Sequence, residues 1–344
     1  MTAWTREKLL ALGIPSPQLT RPLPMLTAVQ ALESCSILQN QPKRFDLDVL
    51  AKLRANLAGI RLPLDSAIVE TDLVCPVRDG TAVKLRWYRP AMPPTPGSPL
   101  VVHYHGGGYI LGDLNTSSPF CQSVVRDHGA VVIDVDYRLA PEHPFPTGKN
   151  DAWDALVWVS KNCAVLGADP SLGFLVAGLS AGGNIAASMA LVARDENLEP
   201  ALTGTYLCVP ELVSSHHKLP DKYQSLWLSR VQNKAAPILD QPFLDFIKGK
   251  QCYKPKLESH YHAPAHHPQG HAGLPKTYID VCGLDPFRDD GIVYEQLLQD
   301  AEVLTRMDIY PGMPHGWWVV LPELEGTEEY HRKRREGLKW LLAK

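Results

Sequence analysis

From about residue 68 onward the chain alternates between short runs of Val, Ile, Leu and Tyr and longer stretches with apolar residues every three or four positions. The short runs predict strands at Val69–Val77, Ala82–Tyr88, Leu100–Tyr104, Ala130–Val135, Gly173–Ala177, Gly204–Val209, Thr277–Val281 and Arg306–Tyr310. The third to seventh are apolar at most positions, as expected of strands covered on both faces of a parallel sheet. Helical spacing fills the gaps at roughly 116–127, 150–163, 181–195, 288–300 and 326–342. The alternation predicts an α/β fold: eight strands in a mostly parallel sheet, with helices on its faces.

Two regions break the rhythm. Residues 1–65 read as helical with Pro breaks, the clearest stretches being 25–40 and 45–58. Residues 211 to about 272 separate two strands by far more than a usual connection and contain helix-like pieces such as DKYQSLWLSRVQN. The chain therefore divides into an N-terminal helical part at 1–65, a core at 66–210 and 263–344, and an insertion at 211–262. Together the first and last would form a cap over the C-terminal edge of the sheet, where open α/β sheets bind ligands.

Composition narrows the setting. Hydrophobic residues make up 45% of 344 residues and the net charge is −3, so no basic surface announces nucleic acid or anionic lipid. The basic run Lys333-Arg334-Arg335 is expected to be a solvated helix face. Seven cysteines, odd in number and without a C-x-x-C, suggest buried thiols in a reducing compartment. No run is long enough to span a membrane and the first residues do not read as a leader, so a cytoplasmic protein is expected.

The chemistry concentrates in three places. LVAGLSAGGNIAASMALVA (175–193) reads as strand, sharp turn and helix, with Ser180 at the apex of Gly178-Leu179-Ser180-Ala181-Gly182. Small residues two positions before and after the serine let the backbone turn, and the helix start favours developing negative charge. A glycine-rich turn with Ser180 as helix cap is the bland alternative. HYHGGGYILGD (103–113) follows the third strand, where three glycines need a reason. A serine nucleophile creates an oxyanion, and glycines let backbone N–H groups reach it. Gly107, Gly108 and Ala181 are the expected donors; Gly106 permits the turn and His105 props the loop.

Ser180 needs a base, and the base needs an orienting carboxylate. Asp285 stands just past the seventh strand in VCGLDPFRDDG, and His315 just past the eighth in YPGMPHGWW. Both therefore fall at C-terminal strand ends, in the order Ser, Asp, His. Asp289 and Asp290 sit in the first turn of the next helix and are taken as structural. The histidine-rich stretch 258–273, with His260, His262, His266, His267 and His271, lacks the regular backbone that fixes metal ligands and is expected to be a solvated loop. No metal and no cofactor are expected. His103, His128 and His143 are read as packing or surface residues.

These residues resemble the hormone-sensitive-lipase-type branch of the α/β-hydrolases, the bacterial family IV esterases and carboxylesterases. The shared pieces are HGGG (105–108), DYRLAPEHPFP (136–146), GLSAGGN (178–184), DPFRDDG (285–291) and HGW (315–317). The resemblance implies an α/β-hydrolase fold with a helical cap and a Ser-His-Asp carboxylic-ester hydrolase. The family usually carries Asp where this chain has Leu179, so the polar support around the elbow must differ.

Three functions compete. The first is hydrolysis of a small or medium carboxylic ester through an acyl-enzyme. The second uses the same pocket for cyclisation, elimination or acyl transfer in a biosynthetic route. The third is a ligand-binding protein on this scaffold, which the presence of His315 argues against. The expected partner is a small-molecule ester; a homodimer is left open.

Overall fold

The computed structural model describes residues 4–20, 47–58, 61, 63–249 and 252–343. The helical stretch expected at 25–40 lies outside them, and the one at 45–58 is described as α2 (Leu47–Ala58). Eight strands form one sheet: β1 (Ile68–Pro76), β2 (Ala82–Pro90), β3 (Leu100–Tyr104), β4 (Val131–Asp136), β5 (Phe174–Leu179), β6 (Gly204–Cys208), β7 (Lys276–Leu284) and β8 (Thr305–Pro314). Their order is β1-β2-β4-β3-β5-β6-β7-β8. β2 runs antiparallel to both its neighbours and every other pair is parallel.

Side chains alternate along the central strands and build a core on each face. Leu100, Val102 and Tyr104 of β3, Phe174 and Val176 of β5, and Ile279 and Val281 of β7 face one cluster. Val101, Leu175, Ala177, Tyr278 and Cys282 face the other. The first is covered by α4 (Thr147–Lys161), α5 (Ala181–Asp195) and α9 (Arg288–Asp300). The second is covered by α3 (Ser118–His128), α10 (Trp317–Val320) and α11 (Gly326–Leu342). Double coverage explains why these strands read as apolar runs rather than as alternating ones.

Two expectations about polar segments need correcting. The basic run is only partly a solvated face: Arg334 is buried, donates to Ser123 Oγ at 2.9 Å and lies over the rings of Phe120 and Tyr330. Its position on α11 points it at α3, and its planar cation can stack on rings where a lysine would not. The histidine-rich stretch is likewise only partly solvated. His262, His267 and His271 are buried, and His262 meets Tyr253 and Phe145 edge to face. The stretch is held from below: Asn184 Nδ2 donates to the His262 carbonyl at 2.7 Å and Ser188 Oγ to the Tyr261 carbonyl at 3.0 Å.

The insertion after β6 is built from short helices: α6 (Asp221–Gln224), α7 (Ser229–Gln232) and α8 (Gln241–Lys248). DKYQSLWLSRVQN is two single turns rather than one helix. The break falls where the core takes over the backbone: Leu228 and Ser229 N–H both donate to Asp289 at 2.7 Å, and Trp227 Nε1 donates to Asp290 at 2.8 Å. The N-terminal segment, with α1 (Arg6–Leu12), runs beside the ends of β7 and β8. Ser16 N–H donates to the Gly312 carbonyl at 3.0 Å, and a Cβ at Gly283 would lie 2.0 Å from the Leu12 carbonyl oxygen. Gln232 of α7 donates to the Leu10 carbonyl at 2.7 Å, joining the two segments. The six described cysteines are free and buried, which suits the thiol reading; Cys35 lies outside the described residues.

Candidate active site

β5 ends at Leu179 and α5 begins at Ala181, so Ser180 alone makes the turn between them. Its backbone sits at φ 56°, ψ −114°, a conformation that costs a non-glycine residue about 1–3 kcal/mol. The turn persists because its surroundings leave no alternative. A Cβ at Gly178 would lie 2.1 Å from the Gly182 carbonyl oxygen, and one at Gly182 would lie 1.9 Å from that of Tyr104. Ser180 N–H donates to the Cys208 carbonyl at 2.8 Å, which fastens the elbow to the end of β6.

The structure brings the three expected side chains together. Ser180 Oγ lies 2.8 Å from His315 Nε2, and His315 Nδ1 lies 2.7 Å from Asp285 Oδ2. β8 ends at Pro314 and delivers His315 directly; Asp285 follows the last residue of β7. Asp285 is fully buried, and its other oxygen accepts the Phe287 N–H at 2.8 Å. Phe287 stands edge-on to His315 with ring centres 5.5 Å apart. Ser180 is only 9% exposed, so the site is nearly closed to solvent.

The glycine loop lies against the elbow. Gly107 and Gly108 take φ 114° and 62°, so they, rather than Gly106, carry the left-handed turn. Gly106 is instead limited by close approach: a Cβ there would meet the Leu179 carbonyl oxygen at 3.1 Å and its Cγ at 3.2 Å. Leu179 thus supports the loop by contact where a hydrogen-bonding side chain was the family expectation. His105 is buried, stacks on Tyr137 with ring centres 4.2 Å apart, and places Nδ1 2.8 Å from the Gly106 carbonyl. Burial pushes its imidazolium below the usual histidine range, so the ring is neutral at pH 7. Tyr137 OH donates to the His105 carbonyl at 2.8 Å.

Several residues that sequence reasoning missed surround this centre. Asn233 of the insertion donates to the carbonyls of Gly283 and Asp285 at 3.1 and 2.8 Å. Ser229 Oγ donates to Pro286 at 2.8 Å. Asp290 accepts from Leu212 and Val213 N–H, Trp227 Nε1 and Arg230 Nη2, all within 3.0 Å. Asp289 and Asp290 do lie in the first turn of α9, but their carboxylates hold the insertion to the core. Glu211 is buried between Arg230 and Lys248. Burial alone would push its carboxyl up, but the two cations outweigh that and bring it down to about 2. Nothing local in the sequence marks Asn233 or Glu211, because their partners are distant in the chain.

Among the described residues, one group has ligand atoms close enough to share a metal: His103, Cys121 and Asp134, within 4.8 Å of one another. Hydrogen bonding accounts for it. His103 and Asp134 face each other across β3 and β4 with Nδ1 to Oδ1 at 2.8 Å, and Ser117 Oγ donates to the other carboxylate oxygen. His103 is thus a packing residue, as expected.

The sheet order, the strand-elbow-helix at Ser180 and the strand-end positions of Asp285 and His315 define an α/β-hydrolase. Comparison with known proteins makes the placement specific. A family model described as alpha/beta hydrolase fold matches residues 101–319. An AB hydrolase superfamily protein of Schizosaccharomyces pombe is 36% identical over 290 residues, covering 84% of this chain and 85% of that one. Carboxylesterase NlhH of Mycobacterium tuberculosis is 42% identical over 224 residues, 64% of this chain and 66% of the relative. The crystal structure of vibralactone cyclase superposes with a TM-score of 0.83 at 27% identity, covering 99% and 98% of the two chains. The chain belongs to the hormone-sensitive-lipase-type α/β-hydrolases and is a carboxylic-ester hydrolase. No described helix is long and apolar enough to cross a membrane.

Proposed function

We propose that the protein hydrolyses a small or medium carboxylic ester through an acyl-enzyme on Ser180. The observation that carries this reading is the unbroken line of contacts Ser180 Oγ, His315 Nε2, His315 Nδ1, Asp285 Oδ2 at 2.8 and 2.7 Å. In it, Ser180 Oγ attacks the ester carbonyl while His315 Nε2 takes the hydroxyl proton. Asp285 accepts the Nδ1 proton in a hydrogen bond and stabilises the imidazolium. The carbonyl oxygen becomes an oxyanion, held by the N–H groups of Gly107, Gly108 and Ala181. Collapse breaks the ester C–O bond, and His315 returns the proton to the leaving alcohol. Water, deprotonated by His315, then attacks the acyl carbon and releases the acid and free Ser180.

The N-terminal part and the insertion act as a lid in this reading. Ile247 of α8 supports it: its Cδ1 is 2.6 Å from where a Gly108 Cβ would stand, so the insertion lies directly on the glycine loop. A lid there excludes water and sets which acyl and alcohol groups enter, while the core performs the chemistry.

A second reading replaces the final water with a hydroxyl or another nucleophile of the substrate, giving cyclisation or acyl transfer. The likeness to vibralactone cyclase over nearly the whole chain favours keeping it. One experiment separates the readings: a fluorophosphonate label and a chain-length series of aryl esters, each run beside Ser180→Ala. Label at Ser180 with turnover of the esters supports hydrolysis. Label without turnover supports the second reading, and labelling that persists in Ser180→Ala removes both.

A further inference from the structure

Behind the glycine loop, away from Ser180, lies a small cavity lined by Tyr109, Tyr137, Arg138, Ala140, His143, Lys149 and their neighbours Gly148, Ile185 and Tyr253. None of Ser180, Asp285 and His315 reaches it. Its walls are unusual in chemistry. Lys149 is only 1% exposed, yet among the described residues its ammonium donates only to Asn184 Oδ1 and Ser188 Oγ, two neutral acceptors. Among the described residues that leaves one N–H of three without an oxygen acceptor, the Tyr109 ring lying 6.0 Å from Nζ to its centre. The carboxylate whose field reaches it, Glu211, is already paired with Lys248 and Arg230.

The hydroxyls are equally unserved. Tyr109 and Tyr253 stack with ring centres 3.9 Å apart, both are buried, and neither OH has a hydrogen-bond partner among the described residues. Gly148 and Lys149 belong to the first turn of α4, a helix of 15 residues whose positive end therefore faces the cavity. Arg138 and His143 stand on the solvent side. Arg138 is itself paired with Asp79 and Asp151, so Lys149 supplies the unpaired positive charge, and among the described residues no carboxylate lines the space.

From this we infer that the cavity is a binding site for a single small anion of halide size, held by the Lys149 ammonium and the hydroxyls of Tyr109 and Tyr253. Size sets the class: the space has room for about one water-sized particle, too little for a carboxylate with an alkyl chain. Water could satisfy the hydroxyls but brings no charge, and a buried ammonium without a counter-charge is costly. Burial drives Lys149 well below the ordinary lysine range even though the field of Glu211 opposes it, which is the strain an anion would relieve. Tyr109 directly follows Gly108, so an occupied site would brace the glycine loop from behind.

The test uses the full-length protein in sodium bromide or in sodium gluconate at equal ionic strength, gluconate being too large to enter. Thermal unfolding should rise by about 2–4 °C in bromide over gluconate and level off with concentration. Crystals grown in bromide should show an anomalous peak between Lys149 Nζ and the two hydroxyls. Lys149→Met should abolish the increment. If that variant does not fold, Tyr109→Phe with Tyr253→Phe, which removes only the hydroxyls, should lose most of it. Equal unfolding temperatures in the two salts, no bromide peak in the cavity, or an increment that survives these substitutions would each overturn the assignment.

Discussion

Replacing Asp290 by Ala should release the insertion without touching Ser180, His315 or Asp285. This carboxylate is fully buried and accepts four donors from the insertion: Leu212 N–H at 2.9 Å, Val213 N–H at 3.0 Å, Trp227 Nε1 at 2.8 Å and Arg230 Nη2 at 2.8 Å. Each hydrogen bond to a charged group is worth about 1.5–3 kcal/mol, but these share one acceptor and do not add. The dominant cost is the stranded cation. Among the described residues Arg230 would keep one carboxylate, Glu211, 3.5 Å away and already engaged by Lys248, besides its stacking on the Phe287 ring at 4.2 Å. Breaking one side of a buried pair costs about 3–5 kcal/mol. Against a total stability of about 5–15 kcal/mol, the variant should lose a large fraction or open locally.

Two assays read the outcome. Urea denaturation of Asp290→Ala should show a loss of about 3–5 kcal/mol, and hydrogen exchange should quicken first in residues 211–233. Fluorophosphonate should still label Ser180 in the folded fraction, because Ser180, His315 and Asp285 keep their contacts. Asp285→Asn gives the opposite pattern: stability near that of the parent and activity lost. If Asp290→Ala were as stable as the parent, with unchanged exchange over 211–233, the clamp would not hold the insertion. If it abolished labelling while folded, Asp290 would belong to the reacting centre instead.

Other consequences are equally direct. Ser180→Ala, His315→Ala and Asp285→Asn should each lower kcat by about 10⁴-fold, and double variants should cost little more; additive losses in steady-state kinetics would mean the three do not act as one unit. Glu211 has its folded-state pKa held at about 2, below its unfolded value. Its contribution, about 3 kcal/mol, is therefore present above pH 4.5 and disappears as pH falls toward 2; Glu211→Gln should flatten that part of a stability-versus-pH curve, and an unchanged acid limb would contradict the pairing. Ile247→Ala opens the space over Gly108 and should shift relative kcat/KM toward bulkier esters by about 10–200-fold, with Ser180 labelling intact; an unchanged preference would detach α8 from the pocket.

The linear chain determined what depends on neighbours close in sequence. Periodicity located every strand of the sheet to within a few residues, and α5, α9 and α11 at their observed limits, because buried strands and amphipathic helices impose their own spacing. Ser180 was legible because an elbow needs small residues two positions either side of it. Asp285 and His315 were legible because strand ends deliver side chains to one edge of a parallel sheet. What the tertiary structure decided is which polar groups are buried and by whom they are satisfied. The lack of a strand or helix pattern made the histidine-rich stretch look solvated, yet Asn184 and Ser188, more than 70 residues earlier, draw its backbone into the core. In the same way Asp290 meets Arg230 across 60 residues, and Arg334 meets Ser123 across 211. Burying a charge or an amide is favourable only when a partner arrives with it, and no local pattern says which distant partner the fold will supply. Lys149 is the extreme case, a lysine in an ordinary helical stretch that only packing turns into a buried ammonium without a carboxylate partner among the described residues.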